Sequence, residues 1–121
     1  MKYILVADDE PVNQEIFEEI LMDDFDVTIV ENGEECLESI EDRIPDLLLL
    51  DVAMPKMNGL EVCRKLRANP KTKDLPVILV SAYASQADID IGISAGANLY
   101  ISKPFKIALL LDDINSLLAN S

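Results

Sequence analysis

In Leu47-Leu48-Leu49-Leu50-Asp51-Val52-Ala53-Met54-Pro55, four consecutive leucines run into a carboxylate and then into a proline-marked turn. The leucines do not alternate with polar residues, so neither side of the segment is set aside for water. A short apolar run closed by a turn signal predicts a central strand of a parallel sheet, covered by helices on both faces. The strand ends on Asp51. In open α/β sheets, ligands bind in the crevice beyond the carboxyl ends of the strands. Asp51 is therefore predicted at a functional edge. A single aspartate there also serves as a turn or helix cap, so the rest of the chain has to separate the two readings.

Working outward, residues 2–7 read as a first buried strand, followed by Asp8-Asp9-Glu10-Pro11. Proline suits the first turn of a helix, and acids suit its N-terminus. Val12, Ile16, Phe17, Ile20 and Leu21 then form one apolar face at helical spacing. Residues 27–30 are a second strand and 34–43 a second helix with Cys36, Leu37 and Ile40 inward. After the leucine strand, Pro55 to Gly59 forms a loop and residues 60–67 a third helix, with Val62, Cys63 and Leu66 as its apolar positions. Residues 77–80 form a strand ending on Ser81, and residues 99–102 a strand ending at Lys103-Pro104. Between them, Ile89, Ile91 and Ile93 alternate with polar residues or glycine, yet their place in the β-α rhythm predicts a helix over 85–95. Gly92 costs that helix about 1 kcal/mol relative to Ala, and few capping signals offset it, so it is expected to be marginal. Ile107, Leu110, Leu111, Ile114, Leu117 and Leu118 mark a last amphipathic helix.

Five β-α units predict an α/β fold with a single doubly wound (βα)5 domain over residues 1–121. For this size the flavodoxin-like strand order is 2-1-3-4-5, with the ligand at the switch between the first and third strands. Asp8, Asp9 and Asp51 would meet there.

The composition removes several function classes. A net charge of -13 opposes phosphate backbones, so nucleic-acid binding is not expected. With 0 His and no paired-cysteine motif, a zinc site or a histidine-based triad has no ligands or base. Cys36 and Cys63 read as buried thiols. No apolar run reaches membrane-span length, and the first one is too short for a signal peptide, so no membrane insertion and a cytoplasmic location are expected.

The polar groups at the strand ends are Asp8, Asp9, Asp51, Ser81 and Lys103. Adjacent strands lie about 5 Å apart, so these side chains can converge. Clustered carboxylates repel one another, and oxygen donors of this kind favour Mg2+. A metal beside a carboxylate suits phosphoryl chemistry, in which positioning and charge neutralisation do most of the catalysis. A carboxylate can itself be the nucleophile and become an aspartyl phosphate. Lys103 and the Ser81 hydroxyl would hold phosphoryl oxygens. Taken singly, Lys103 could simply ion-pair with Asp51, and Ser81 could cap a helix.

These residues resemble the receiver domains of two-component response regulators over essentially the whole chain. Asp8-Asp9-Glu10-Pro11 is similar to the family's acidic doublet. Leu50-Asp51-Val52-Ala53-Met54-Pro55 with Met57-Asn58-Gly59 is similar to its phosphorylation motif, and Ser81-Ala82, Tyr100 and Lys103-Pro104-Phe105 to its remaining signatures. The resemblance implies that Asp51 accepts a phosphoryl group from a sensor histidine kinase or histidine phosphotransfer protein. It implies Mg2+ held by Asp9, Asp51 and the Ala53 carbonyl, with Asp8 acting through water. Lys103 would contact the phosphoryl group, Ser81 would move to bond it, and Tyr100 would turn inward afterwards. A cis Lys103-Pro104 bond is also implied.

The chain departs from the family pattern in Ile89, Asp90, Ile91, Leu99, Ala108 and Leu109, which replace the usual mix of residues around the fourth helix. An apolar face of Ile89, Ile91, Leu99 and Leu109 is expected to bind a downstream protein or a second copy. The chain would then be a switch and not an enzyme, catalysing only its own phosphorylation and dephosphorylation. An aspartate-nucleophile phosphatase needs an acid two residues after the nucleophile, where Ala53 stands. A flavin carrier needs a phosphate loop after the first strand, and none follows. A degenerate receiver acting only as a binding module would not need all of Asp8, Asp9, Asp51, Ser81 and Lys103.

Overall fold

The five apolar segments form β1 (Tyr3–Ala7), β2 (Asp26–Val30), β3 (Leu47–Asp51), β4 (Val77–Ser81) and β5 (Leu99–Ser102). In the computed structural model, which describes residues 1–120, they make one parallel sheet of order β2-β1-β3-β4-β5. The connecting helices are α1 (Pro11–Leu21), α2 (Gly33–Asp42), α3 (Gly59–Ala68), α4 (Gln86–Ser94) and α5 (Ile107–Ala119). The doubly wound architecture and its strand order are those expected from the sequence.

The leucine run explains the two layers. Leu48 and Leu50 join Leu5, Val77 and Leu79 in one core, closed by Cys36 and Ile40 of α2 and by Val62, Cys63 and Leu66 of α3. Leu47 and Leu49 point the other way, with Ile4, Val6, Ile78 and Val80, onto Phe17 and Leu21 of α1 and Leu110 and Ile114 of α5. Successive strand residues face opposite sides, and here both sides are dry. Each buried leucine contributes about 1.5–3 kcal/mol.

The helix starts are locally determined. Asn32 caps α2 by accepting from the Glu35 amide, and Asn58 caps α3 by accepting from the Glu61 amide. The start of α4 corrects the expectation of few capping signals. Ser85 and Asp88 form a full capping box, and Gln86 bonds Asp90 one turn on. Local side-chain bonding therefore supports a helix whose interior residues are poor formers.

The predicted face of α1 is also corrected. Phe17 and Leu21 are buried and Ile16 and Ile20 half-buried, but Val12 is 68% exposed. At 3.6 residues per turn, Val12 lies roughly 140° from Phe17 and opposite Leu21, so it cannot share their side. Ile107, at the first turn of α5, is likewise exposed.

A structural tie absent from the sequence reading joins α3 to the α4–β5 turn. Arg67 donates from Nε to the Gly96 carbonyl at 2.9 Å, from Nη1 to the Thr72 carbonyl at 3.2 Å, and from Nη2 to Asn98 Oδ1 at 3.0 Å. Asn98 Oδ1 also accepts from the Val77 amide at 2.8 Å, which anchors the start of β4.

Candidate functional site

Strand register brings the polar ends together. Ala7 lies opposite Leu50, so Asp8, the next residue, stands level with Asp51 at the carboxyl edge. Asp51 pairs with Val80 and Ser81 with Ser102, which sets Ser81 and Lys103 on the neighbouring strand ends. The N-terminus of α3 packs tightly against this edge. The Gly59 amide donates to the Val52 carbonyl at 2.9 Å, and a Cβ at Gly59 would strike the Asp51 backbone. Glycine is required there by close approach, and that approach holds the backbone of the β3–α3 loop beside Asp51.

Asp8 and Asp51 are buried, whereas Asp9 faces solvent. Lys103 Nζ donates to Asp51 Oδ2 at 2.9 Å and to Asp8 Oδ2 at 3.0 Å. The other oxygens accept from the backbone: Asp51 Oδ1 from the Ala53 amide at 3.2 Å, Asp8 Oδ1 from the Glu10 amide at 2.9 Å. Gln14 reaches back from α1 to donate to the Asp8 carbonyl, a contact the sequence reading did not anticipate. Lys103 is thus held between the two acids and not out in solvent. Its side chain is only 13% exposed and bridges two buried carboxylates.

Burial first, with repulsion from the Asp8 carboxylate, pushes the Asp51 carboxyl above its ordinary value, against the hydrogen bond and charge of Lys103 and the Ala53 amide, which pull it down. For Lys103, burial works against the charged form, but the bonds to Asp51 and Asp8 outweigh it and leave the ammonium above its ordinary value.

Asp8, Asp9 and Asp51 each place a carboxylate oxygen within 4.8 Å of the others. Three carboxylates against one ammonium leave two negative charges at the site. Hard oxygen donors and a residual charge of that size fit a divalent cation such as Mg2+.

Ser81 is buried and its Oγ accepts from the Tyr83 amide at 3.0 Å. It caps no helix, since Ser85 is the cap of α4. The Tyr100 hydroxyl donates to the Tyr83 carbonyl. The Tyr100 ring is half-buried, with its hydroxyl on the loop after β4. The Lys103-Pro104 peptide is cis, as the resemblance implied. Of the predicted apolar face, Ile91 and Leu109 are exposed, at 46% and 58%, while Ile89 and Leu99 are half-buried.

Fold and site together define an α/β domain with an acidic, lysine-bridged pocket at the switch point of its sheet. Residues 4–115 match the family model described as the response regulator receiver domain, and the chain belongs to that family. Among its relatives, the DNA-binding response regulator MtrA of Mycolicibacterium smegmatis is 38% identical over 104 residues, covering 85% of this chain and 44% of that protein. The response regulator MprA of Mycobacterium leprae is 37% identical over 118 residues, covering 98% of this chain and 51% of that protein. The chain therefore spans about half the length of these curated relatives.

Solved structures agree. The receiver domain of a signal transduction histidine kinase from Syntrophus aciditrophicus superposes with a TM-score of 0.93 at 31% identity, covering 99% of this chain and 92% of that one. The receiver domain of the sensor histidine kinase PA1611 from Pseudomonas aeruginosa PAO1 gives 0.90 at 33% identity, covering 98% of both chains. That structure carries a magnesium ion in its active-site cleft. Among the described residues, no helix is long and apolar enough to cross a membrane.

Proposed function

We propose that this receiver domain is switched by phosphorylation of Asp51, with Mg2+ bound by Asp9, Asp51 and the Ala53 carbonyl, and with Asp8 held through water. The observation that carries the reading is the bridge from Lys103 to Asp51 and Asp8, with Asp9 within ligand distance of both acids. One Asp51 oxygen attacks phosphorus, the phosphorus–nitrogen bond of a donor phosphohistidine breaks, and the imidazole leaves with that electron pair. Mg2+, when bound, neutralises charge on the transferred group. Lys103 keeps a donor on the same group, and the Ser81 hydroxyl exchanges the Tyr83 amide for a phosphoryl oxygen.

The donor is a sensor histidine kinase or a histidine phosphotransfer protein, in the cytoplasm. The chain turns over no separate substrate and catalyses only its own phosphorylation and dephosphorylation. The output is a protein contact on the face carrying Ile89, Ile91, Leu99 and Leu109, of which Ile91 and Leu109 are open to solvent.

Acetyl phosphate with Mg2+ tests this reading by intact mass. One added phosphoryl group is expected on the wild type, none on Asp51→Asn, and little on Asp9→Ala or with EDTA. Undiminished labelling of Asp51→Asn at another residue would overturn it. Loss of partner binding in Ile91→Lys, with labelling intact, is the expected result for the output face.

A further inference from the structure

We propose that Gly33, the first residue of α2, is a positioning residue for the cation site: it seats the Met57 backbone and so fixes the β3–α3 loop that carries the Ala53 carbonyl. This rests on the reading of Asp9, Asp51 and the Ala53 carbonyl as Mg2+ ligands. Gly33 is buried behind the Asn32 cap. Its backbone conformation does not call for glycine, since Gly96 is the glycine with a positive φ.

Close approach does. A Cβ at Gly33 would lie 2.3 Å from the Met57 carbonyl oxygen, 2.7 Å from Met57 Cβ and 2.9 Å from the Met57 carbonyl carbon. Carbon atoms pack at about 3.5–4.0 Å, and the carbonyl is backbone, so a larger residue must move the loop itself. The loop is tense at that point. The Met57 amide donates to the Pro55 carbonyl at 2.7 Å, across Lys56 at a φ of 67°. A three-residue turn of that hand is strained, and such strain persists only where the surroundings over-determine it. Gly33 is one such constraint, and the Gly59 amide on the Val52 carbonyl is another. The corner before α2 also holds the other acidic loop, because the Asp8 amide donates to the Val30 carbonyl at 3.0 Å. Val30 and Gly33 thus set the loop after β1 against the loop after β3, and the proposed ligands come from both. Gly33 acts through Met57 and touches no ligand atom.

Mn2+, which takes the same oxygen donors as Mg2+, is the probe, read by electron paramagnetic resonance on the full chain. The temperature is one at which circular dichroism shows Gly33→Ala fully folded, so that stability alone cannot move the affinity. Gly33→Ala should bind Mn2+ about tenfold more weakly than the wild type. In EDTA its amide NMR signals at Ala53, Lys56 and Met57 should shift. Wild-type affinity in the folded variant, or unshifted loop signals, overturns the proposal.

Thermal unfolding gives a second arm. Glycine takes a positive φ freely, so in a Lys56→Gly background the turn can yield to the added methyl. Gly33→Ala should therefore lower Tm less in Lys56→Gly than in the wild type, and an equal loss in both overturns the seat. Should Gly33→Ala alone fold poorly, the Mn2+ and NMR readings are taken in Lys56→Gly with and without it, with the same outcomes deciding. If the wild type binds no Mn2+, the metal reading fails. Shifted loop signals and the unequal Tm losses then still uphold Gly33 as the seat of the loop, and their absence overturns it.

Discussion

Lys103 Nζ stands 2.9 Å from Asp51 Oδ2, across 52 positions of sequence, and the same ammonium holds Asp8 at 3.0 Å. The pair carries both chemistry and stability. Removing one member of a buried ion pair leaves a buried charge without compensation, and that is costlier than losing the pair outright.

Lys103→Met is therefore expected to destabilise the fold by about 3 kcal/mol in EDTA, since two buried carboxylates lose their cation. Mg2+ should restore part of the loss, and should bind the variant more tightly because a competing positive charge is gone. Urea unfolding with and without Mg2+ measures both effects. A variant as stable as the wild type in EDTA would show that the bridge contributes nothing to folding.

Alkaline pH removes the same interaction in the wild type. The Lys103 pKa is raised above 10.5 in the folded protein, so its stabilisation is fully present below pH 10.5 and is lost as pH rises through the higher folded value. In EDTA, the stability difference between wild type and Lys103→Met should shrink across that range. Comparing the two proteins cancels the titration of the other lysines and the tyrosines.

Cys36 should be inert while the chain is folded. Burial pushes its thiol up to about 12, and no part of it reaches solvent. The thiolate is the reactive form, so iodoacetamide at pH 8 should label Cys36 only as fast as the chain unfolds. Cys63 is buried in the same core, with its thiol raised for the same reason. Labelling that outpaces global unfolding would show local opening of α2.

Arg67→Lys should lower stability by about 1–2 kcal/mol although the charge is kept. A lysine cannot reproduce a fork that donates to Gly96, Thr72 and Asn98 together. The change should also speed amide hydrogen exchange in the α4–β5 turn, and equal exchange in the two proteins would disconnect Arg67 from that turn.

The strands and the site edge were legible because their signals are local. Four leucines without alternation can be satisfied only between two apolar layers, and Leu47 to Leu50 are buried accordingly in both. Asp8, Asp51 and Ser81 were found because each is the polar residue at which an apolar run stops, and Lys103 because it directly follows the last strand. Val12 was misplaced because spacing was counted without angle. The α4 cap was missed although Ser85 and Asp88 stand three apart, the capping-box spacing, next to the isoleucines that drew attention.

Alone, the sequence determined the five β-α units, the doubly wound fold, and the acids, hydroxyl and lysine gathered at one sheet edge. Only the tertiary structure decided that Lys103 bridges two buried carboxylates, that Arg67 ties α3 to the α4–β5 turn, and that Gly33 makes room for the Met57 backbone. The reason is physical. Strand and helix patterns depend on neighbours a few positions away, whereas desolvation, ion pairing and steric room depend on which groups meet. In this chain the bridging partners lie 52 and 95 positions from Lys103.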